Sequence, residues 1–287
     1  MKLVSLVIIT LASASAFAAG KSTTEYYFQP AAGMSAVDLS YKMDIMPGKL
    51  DNAGTESDYK QEMSDFYLKY AYGLNEGNAI GAQTFFGSNK ITNGATSHSA
   101  SGMGDFDIFY RGFMGMWHYG ADLGINMGKT SFDTTTQLPD NRSSGGMSLR
   151  VNGGLMLTSG ALNYGADLSY MMPFERQWDD ANATKLTGGN TITIEPFLEY
   201  NWGMGFLGAK LAYYMTDDTT HKTSAGTETK WKGESVTQLV AYGTFDFNDM
   251  FTGLLDLGMA MHGEHDFSDQ TGTPKMKAHK AFPFCLS

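Results

Sequence analysis

Residues Met147 to Met172 read MSLRVNGGLMLTSGALNYGADLSYMM. In the first half Met147, Leu149, Val151, Leu155 and Leu157 share one side, against Ser148, Arg150, Asn152 and Gly154. After Thr158-Ser159-Gly160 the second half sets Leu162, Tyr164, Ala166, Leu168, Tyr170 and Met172 against Asn163, Gly165, Asp167 and Ser169. A strict period of two marks a strand with one apolar and one polar face. Two such runs joined by a short glycine-containing turn form a hairpin. Strands of soluble domains usually hold about 5–6 residues. A bilayer requires ~9–11 tilted residues, which is the length repeated here. The hairpin therefore predicts a transmembrane barrel, apolar outward and polar inward.

The pattern spreads outward from this hairpin. Upstream, Val37, Leu39, Tyr41, Met43 and Ile45 alternate with Asp38, Ser40, Lys42 and Asp44. Further strands follow with Phe66–Tyr72, Ile80–Phe86, Phe106–Tyr110 and Tyr119–Met127 in the alternating register. Downstream come Ile192–Trp202, Leu207–Met215, Leu239–Phe247 and Leu255–Met261. The tail, Lys275 to Leu286, supplies a twelfth strand, interrupted by Pro283. The fold class expected is all-β, an antiparallel transmembrane up-and-down β-barrel of about twelve strands. The chain ends in Ser287 rather than an aromatic residue, which suggests an altered or shortened terminus.

Connections alternate between long and short. Tight turns are expected at Asn75-Glu76-Gly77, Trp117-His118, Gly203–Gly205 and Asn248-Asp249. Long polar links are expected at Pro47–Tyr59, Ser88–Gly102, Lys129–Gly145, Pro173–Asn190 and Thr216–Glu234. Outer-membrane barrels pair short periplasmic turns with longer extracellular loops, whereas a β-sandwich has no reason to alternate. Tyr72, Trp117, Tyr119, Tyr164, Trp202, Phe206, Phe247 and Phe251 flank the short turns. They read as an aromatic girdle at one membrane interface, with His118 an interface residue in its turn.

Composition agrees. The 287 residues include 34 Gly and 13% aromatics but only 17% charged residues, a β-rich profile poor in helix formers. Lys2, the apolar run Leu3–Leu11 and Ala16-Phe17-Ala18 form an export signal. The domains expected are thus a signal peptide at 1–18, a periplasmic lead-in at 19–34 and an outer-membrane barrel at 35–287. A single Cys, Cys285, excludes an intramolecular disulfide. The net charge of −10 argues against nucleic-acid binding. The partners expected are outer-membrane lipid and lipopolysaccharide, the barrel assembly machinery and small solutes.

Pleating sends the charges inward, because a charge on the lipid face near the midplane costs roughly 2–4 kcal/mol. Asp38, Asp44, Asp65, Asp107, Asp122, Asp167, Glu195, Glu199, Asp246 and Asp256 face in, with Lys42, Lys69, Arg111, Arg150 and Lys210. Asp105 joins them at the upper rim, either beside the pore or bonding backbone amides to hold a bend. If the lumen is open, this carboxylate excess favours cations. Alternatively Arg and Lys brace a narrow lumen. A twelve-stranded bore is intermediate, and a loop such as Thr216–Glu234 folding inward could plug it. His262, Glu264, His265 and Asp266 cluster after the eleventh strand, but nothing converges on them, so they read as a solvated loop. No catalytic residue, metal or cofactor is expected.

YAYGLNEGNAIGAQ (Tyr70–Gln83) followed by SGMGDFDIFYRG (Ser101–Gly112) resembles an outer-membrane family named for the MetA pathway of phenol degradation. That family is distantly akin to long-chain fatty-acid transporters. Its members show a "yGltd…elg" hairpin, then GxGD opening the next strand, here Gly102-Met103-Gly104-Asp105. The resemblance implies a β-barrel for uptake of small, often hydrophobic, molecules. The lead-in is too short for the plug-forming hatch of the fatty-acid transporters. The expected function is a passive channel for small solutes. The competing expectation is a non-conducting barrel serving adhesion or envelope structure.

Overall fold

In an extended chain, alternate side chains meet lipid and lumen, so the apolar/polar alternation selects strands whose hydrogen bonds run sideways into neighbours. The computed structural model describes residues 13–15, 29–52, 55–127, 141–179, 183–248, 251–262, 265–268, 276–278 and 284–286. No helix occurs among them. β1 is the short Ser13–Ser15, within the expected signal peptide. β2 (Ser35–Asn52), β3 (Thr55–Asn75) and β4 (Asn78–Asn93) are long strands of successive hairpins. β5 (Thr96–Met103) pairs with the outer half of β4, and β6 (Phe106–Met114) replaces it on the inner half. β7 (Trp117–Ile125), β8 (Ser148–Ser159) and β9 (Leu162–Pro173) follow. Short strands β10 (Arg176–Gln177) and β11 (Lys185–Gly188) lead to β12 (Thr191–Asn201) and β13 (Phe206–Thr216). The hairpin β14 (Thr219–Lys222) and β15 (Glu228–Trp231) precedes β16 (Ser235–Asp246) and β17 (Phe251–His262). β18 (His265–Ser268), β19 (Met276–Ala278) and β20 (Phe284–Leu286) complete the order.

The wall runs β2–β3–β4–β6–β7–β8–β9–β12–β13–β16–β17, every pair antiparallel. β20 pairs with both β17 and β2, so it occupies a twelfth position and closes the ring. β19 continues that position along the outer end of β2, while β1 pairs with β2 and β17 at their inner ends. Closure removes the free edges that an open sheet would expose.

Burial reverses the order of a soluble protein. Leu168, Leu198, Leu207, Leu239 and Leu257 are all about half exposed, while Glu195, Asp167 and Asp65 are buried and Glu199 has no exposed surface. The exposed apolar residues form the belt a bilayer covers. At the end with the short turns Trp117, Tyr119, Tyr72, Tyr164, Trp202 and Phe247 face outward. Tyr110 and Tyr119 there both donate to Asn78 Oδ1.

Several expected details change. The turn before β7 falls at Gly115-Met116, with Gly115 at φ 63°, so Trp117 and His118 already belong to the strand. His118 therefore faces inward and is buried. Phe206 is likewise buried rather than in the girdle. Phe251's side chain lies outside the described residues. The links at Pro47–Tyr59 and Ser88–Gly102 are hairpin ends, because β2, β3, β4 and β5 keep pairing beyond the belt. Both faces are wet there, so no apolar period announces them. The Thr216–Glu234 link contains β14 and β15, which join β11 and β18 in a collar above the belt rather than entering the lumen.

Candidate functional site: a charged lumen

The expected inward residues lie where pleating sends them. Asp44, Asp65, Arg111, Asp122, Asp167, Glu195 and Glu199 are buried. Asp38, Lys42, Lys69, Asp107, Arg150, Lys210, Asp246 and Asp256 are half-buried on the same face, as is Asp105 at the rim. Their partners are neighbours along the wall. Arg111 on β6 pairs with Asp122 on the adjacent β7, and Arg150 on β8 approaches Asp122 from the other side at 3.9 Å. Lys210 on β13 reaches Glu195 on β12 at 3.4 Å, and Lys42 reaches Asp44 on its own strand at 3.1 Å. Gln83 on β4 donates to Asp107 on β6 at 3.0 Å. Thr252 on β17 donates to Asp246 on β16 at 2.5 Å.

Two contacts skip one strand, and in each a glycine lies beneath. His118 on β7 pairs with Asp167 on β9 across Gly154 of β8. Tyr242 on β16 donates to Glu199 on β12 at 2.8 Å across Gly208 of β13. A Cβ at Gly154 would collide with the Ala166 carbonyl as well as with His118 and Asp167, and one at Gly208 with the Tyr242 ring. The same arrangement lays Phe109 over Gly81, Phe85 over Gly104 and Phe197 over Gly165. Bulky inward side chains thus lie along the wall instead of pointing at the axis. Lys69 and Arg111 sit over the Phe109 ring at 5.3 and 4.9 Å, a cation–π arrangement that also keeps them on the wall.

One segment departs from the wall. Residues 141–146, between β7 and β8, reach back to the inward face of β3 and β4. Arg142 Nη2 donates to both carboxylate oxygens of Asp65, at 2.8 and 2.9 Å. Its guanidinium lies over the Phe85 ring at 5.3 Å, and that ring packs on Tyr67 at 5.2 Å. Ser143 Oγ and the Ser144 amide donate to the two Asp105 oxygens at 2.7 and 2.9 Å. Asp105 thus sits at the rim and bonds a backbone amide, but it secures a different loop from the one preceding it. Arg176 backs Gly146, and burial holds its guanidinium below its ordinary pKa while Asp105 pulls the other way.

Sequence reading missed Arg142, because loop residues carry no period. It missed the wall contact of His118 through a two-residue misplacement of the turn. The inward rings of Phe85, Phe113, Phe197, Tyr214 and Tyr242 also went unread, since alternation flags them only once register is known. His262 lies 3.5 Å from Glu234, and Glu264 and the side chains of His265 and Asp266 fall outside the described residues. The expected signal peptide lies outside them too, apart from Ser13–Ser15.

No family model and no curated protein matches the chain. Among solved structures it is similar to an outer-membrane channel from Pseudomonas putida F1, with TM-score 0.59 and 8% identity over 93% of this chain and 98% of that one. It also aligns with the CymD monoaromatic hydrocarbon channel at TM-score 0.44 and 10% identity, over 90% of this chain and 89% of that one. The β domain of the Bordetella autotransporter BrkA aligns at TM-score 0.42 and 10% identity, over 86% and 98%. The fold implied by the Tyr70–Gln83 and Ser101–Gly112 resemblance is the fold found. The chain has the fold of an outer-membrane β-barrel.

Proposed function

We propose that the chain is a passive channel that admits small solutes, hydrophobic ones included, through its charged lumen. The observation that supports this is the sideways arrangement of the inward groups. A braced, closed barrel needs pairs that bridge the bore from wall to opposite wall. The pairs at Arg111–Asp122, Lys210–Glu195, His118–Asp167 and Glu199–Tyr242 instead join strands one or two places apart. Glycines beneath the rings let those side chains lie against neighbouring strands in the same way. Passive transport requires no catalytic residue. The residues that line the path are Asp38, Lys42, Asp44, Lys69, Asp105, Asp107, Arg111, Asp122, Arg150, Asp167, Glu195, Glu199, Lys210, Asp246 and Asp256. Their carboxylate excess gives the path a preference for cations. Lipid and lipopolysaccharide cover the apolar belt, and the barrel assembly machinery inserts it.

The test is conductance of the refolded protein in a planar bilayer under a salt gradient. Discrete steps with a reversal potential on the cation side are expected. Silence from a protein demonstrably inserted and β-rich would reject an open lumen.

A further inference from the structure

The wall contacts join strands one or two places apart, but residues 141–146 do not lie on the wall they come from. β8 stands four places round the ring from β3, and Arg142 nevertheless binds Asp65 on β3. Three wall strands, β4, β6 and β7, stand between, and the segment reaches past them to get there. It is fastened at two points: Arg142 is held by Asp65 and by the Phe85–Tyr67 shelf, and Ser143 and Ser144 by Asp105. Asp65 lies at the top of the belt: outward Phe66 and Leu68 are exposed apolar residues, whereas Ser64, Glu62 and Lys60 beyond them are polar. Asp65 is buried there, with Arg142 bonded to both of its carboxylate oxygens.

Resting on the channel reading above, we infer that Arg142 and Asp65 form the charge-selecting constriction of the path. The segment reaches two lumen carboxylates: Arg142 cancels the charge of Asp65, while Ser143 and Ser144 bond Asp105 without neutralising it, so this level of the path carries protein that projects from the wall. Ions passing a low-dielectric constriction respond to its net charge more strongly than to charges in the wide, wet part of the bore. The pair is neutral as it stands. Removing either partner leaves one uncompensated charge of opposite sign beside the passing ion.

The experiment is the reversal potential and conductance of four refolded variants in planar bilayers under a salt gradient. Arg142→Gln uncovers Asp65 and is expected to move the reversal potential further to the cation side. Asp65→Asn leaves Arg142 unpaired and is expected to move it toward anions. Arg142→Gln/Asp65→Asn keeps a hydrogen-bonding amide pair without charge, so it is expected to return near the wild-type value. Ser143→Ala changes no charge but frees one fastening, so conductance is expected to rise with the reversal potential unmoved. If the wild type conducts and both single variants leave the potential unchanged, or move it in the same direction, the inference is wrong and the channel reading stands. If the wild type itself is silent, the channel reading fails first. Should one single variant not refold, the remaining single variant must still shift the potential in its stated direction and the double variant must still restore it.

Discussion

Glu199 has no exposed surface, and among its contacts is the Tyr242 hydroxyl at 2.8 Å. A buried carboxylate is tolerable only when donors compensate its lost hydration. Tyr242→Phe removes one charge-assisted hydrogen bond and is expected to destabilise the barrel by about 1.5–3 kcal/mol. The urea midpoint of the detergent-folded protein, followed by heat-modifiable gel mobility, measures it. Gly154 makes a separate demand. Its missing Cβ leaves the space in which His118 and Asp167 meet. Gly154→Ala crowds that contact and the Ala166 carbonyl together, with an expected cost of about 1–3 kcal/mol for overpacking. The same urea titration checks it, and an unchanged midpoint would show that the pair does not depend on the gap. Neither effect is legible in the sequence, because the partners lie 49 and 43 residues apart and meet only through a register that the sequence does not print.

Among the elements, the collar of β11, β14 and β15 carries a titration of its own. His221 on β14 pairs with Leu186 on β11 and Thr229 on β15. Its ring stacks on Trp231 at 3.9 Å and meets Trp178 edge-on at 5.0 Å. Burial, with the Arg176 charge adding to it, lowers its pKa from 6.5 to about 4. A base whose folded pKa is depressed stays neutral in the fold while the unfolded chain takes up a proton. Its contribution is complete above about 6.5, is lost as pH falls toward about 4, and changes no further below that. Asp218, depressed by its bonds to Lys230 and the Gly233 amide, acts only below its ordinary 3.8, so the two windows separate. Between pH 7 and 4 the tryptophan emission of Trp178 and Trp231 is expected to shift, and collar cleavage by an added protease to rise. His221→Phe is expected to flatten both curves over that range. The wall strands were legible because lipid on one face and lumen on the other impose a period of two. The collar strands were not: Lys185–Gly188 and Glu228–Trp231 hold four residues each, and although Leu186 is buried, a run that short is too brief to print a period.

At the scale of the whole molecule the barrel inverts the usual rule of burial, and one pair of substitutions separates its two faces. Leu168 on β9 is 55% exposed in the middle of the belt. Thr193 on β12 faces the other way, paired in register with Ser169, the next residue along β9, and with Tyr214. An arginine at 168 would have to enter hydrocarbon, at an expected cost of roughly 2–4 kcal/mol near the midplane. An arginine at 193 would meet the lumen, where Glu195 and Asp167 are two residues or one register step away. Leu168→Arg is therefore expected to lower folding yield into vesicles and the urea midpoint, while leaving the reversal potential of whatever inserts near wild type. Thr193→Arg is expected to fold with a midpoint close to wild type but to move the reversal potential toward anions. In a soluble sandwich the order would reverse, since Leu168 would be an ordinary surface position and Thr193 a core one. Equal midpoints for the two variants would mean that the belt does not face lipid.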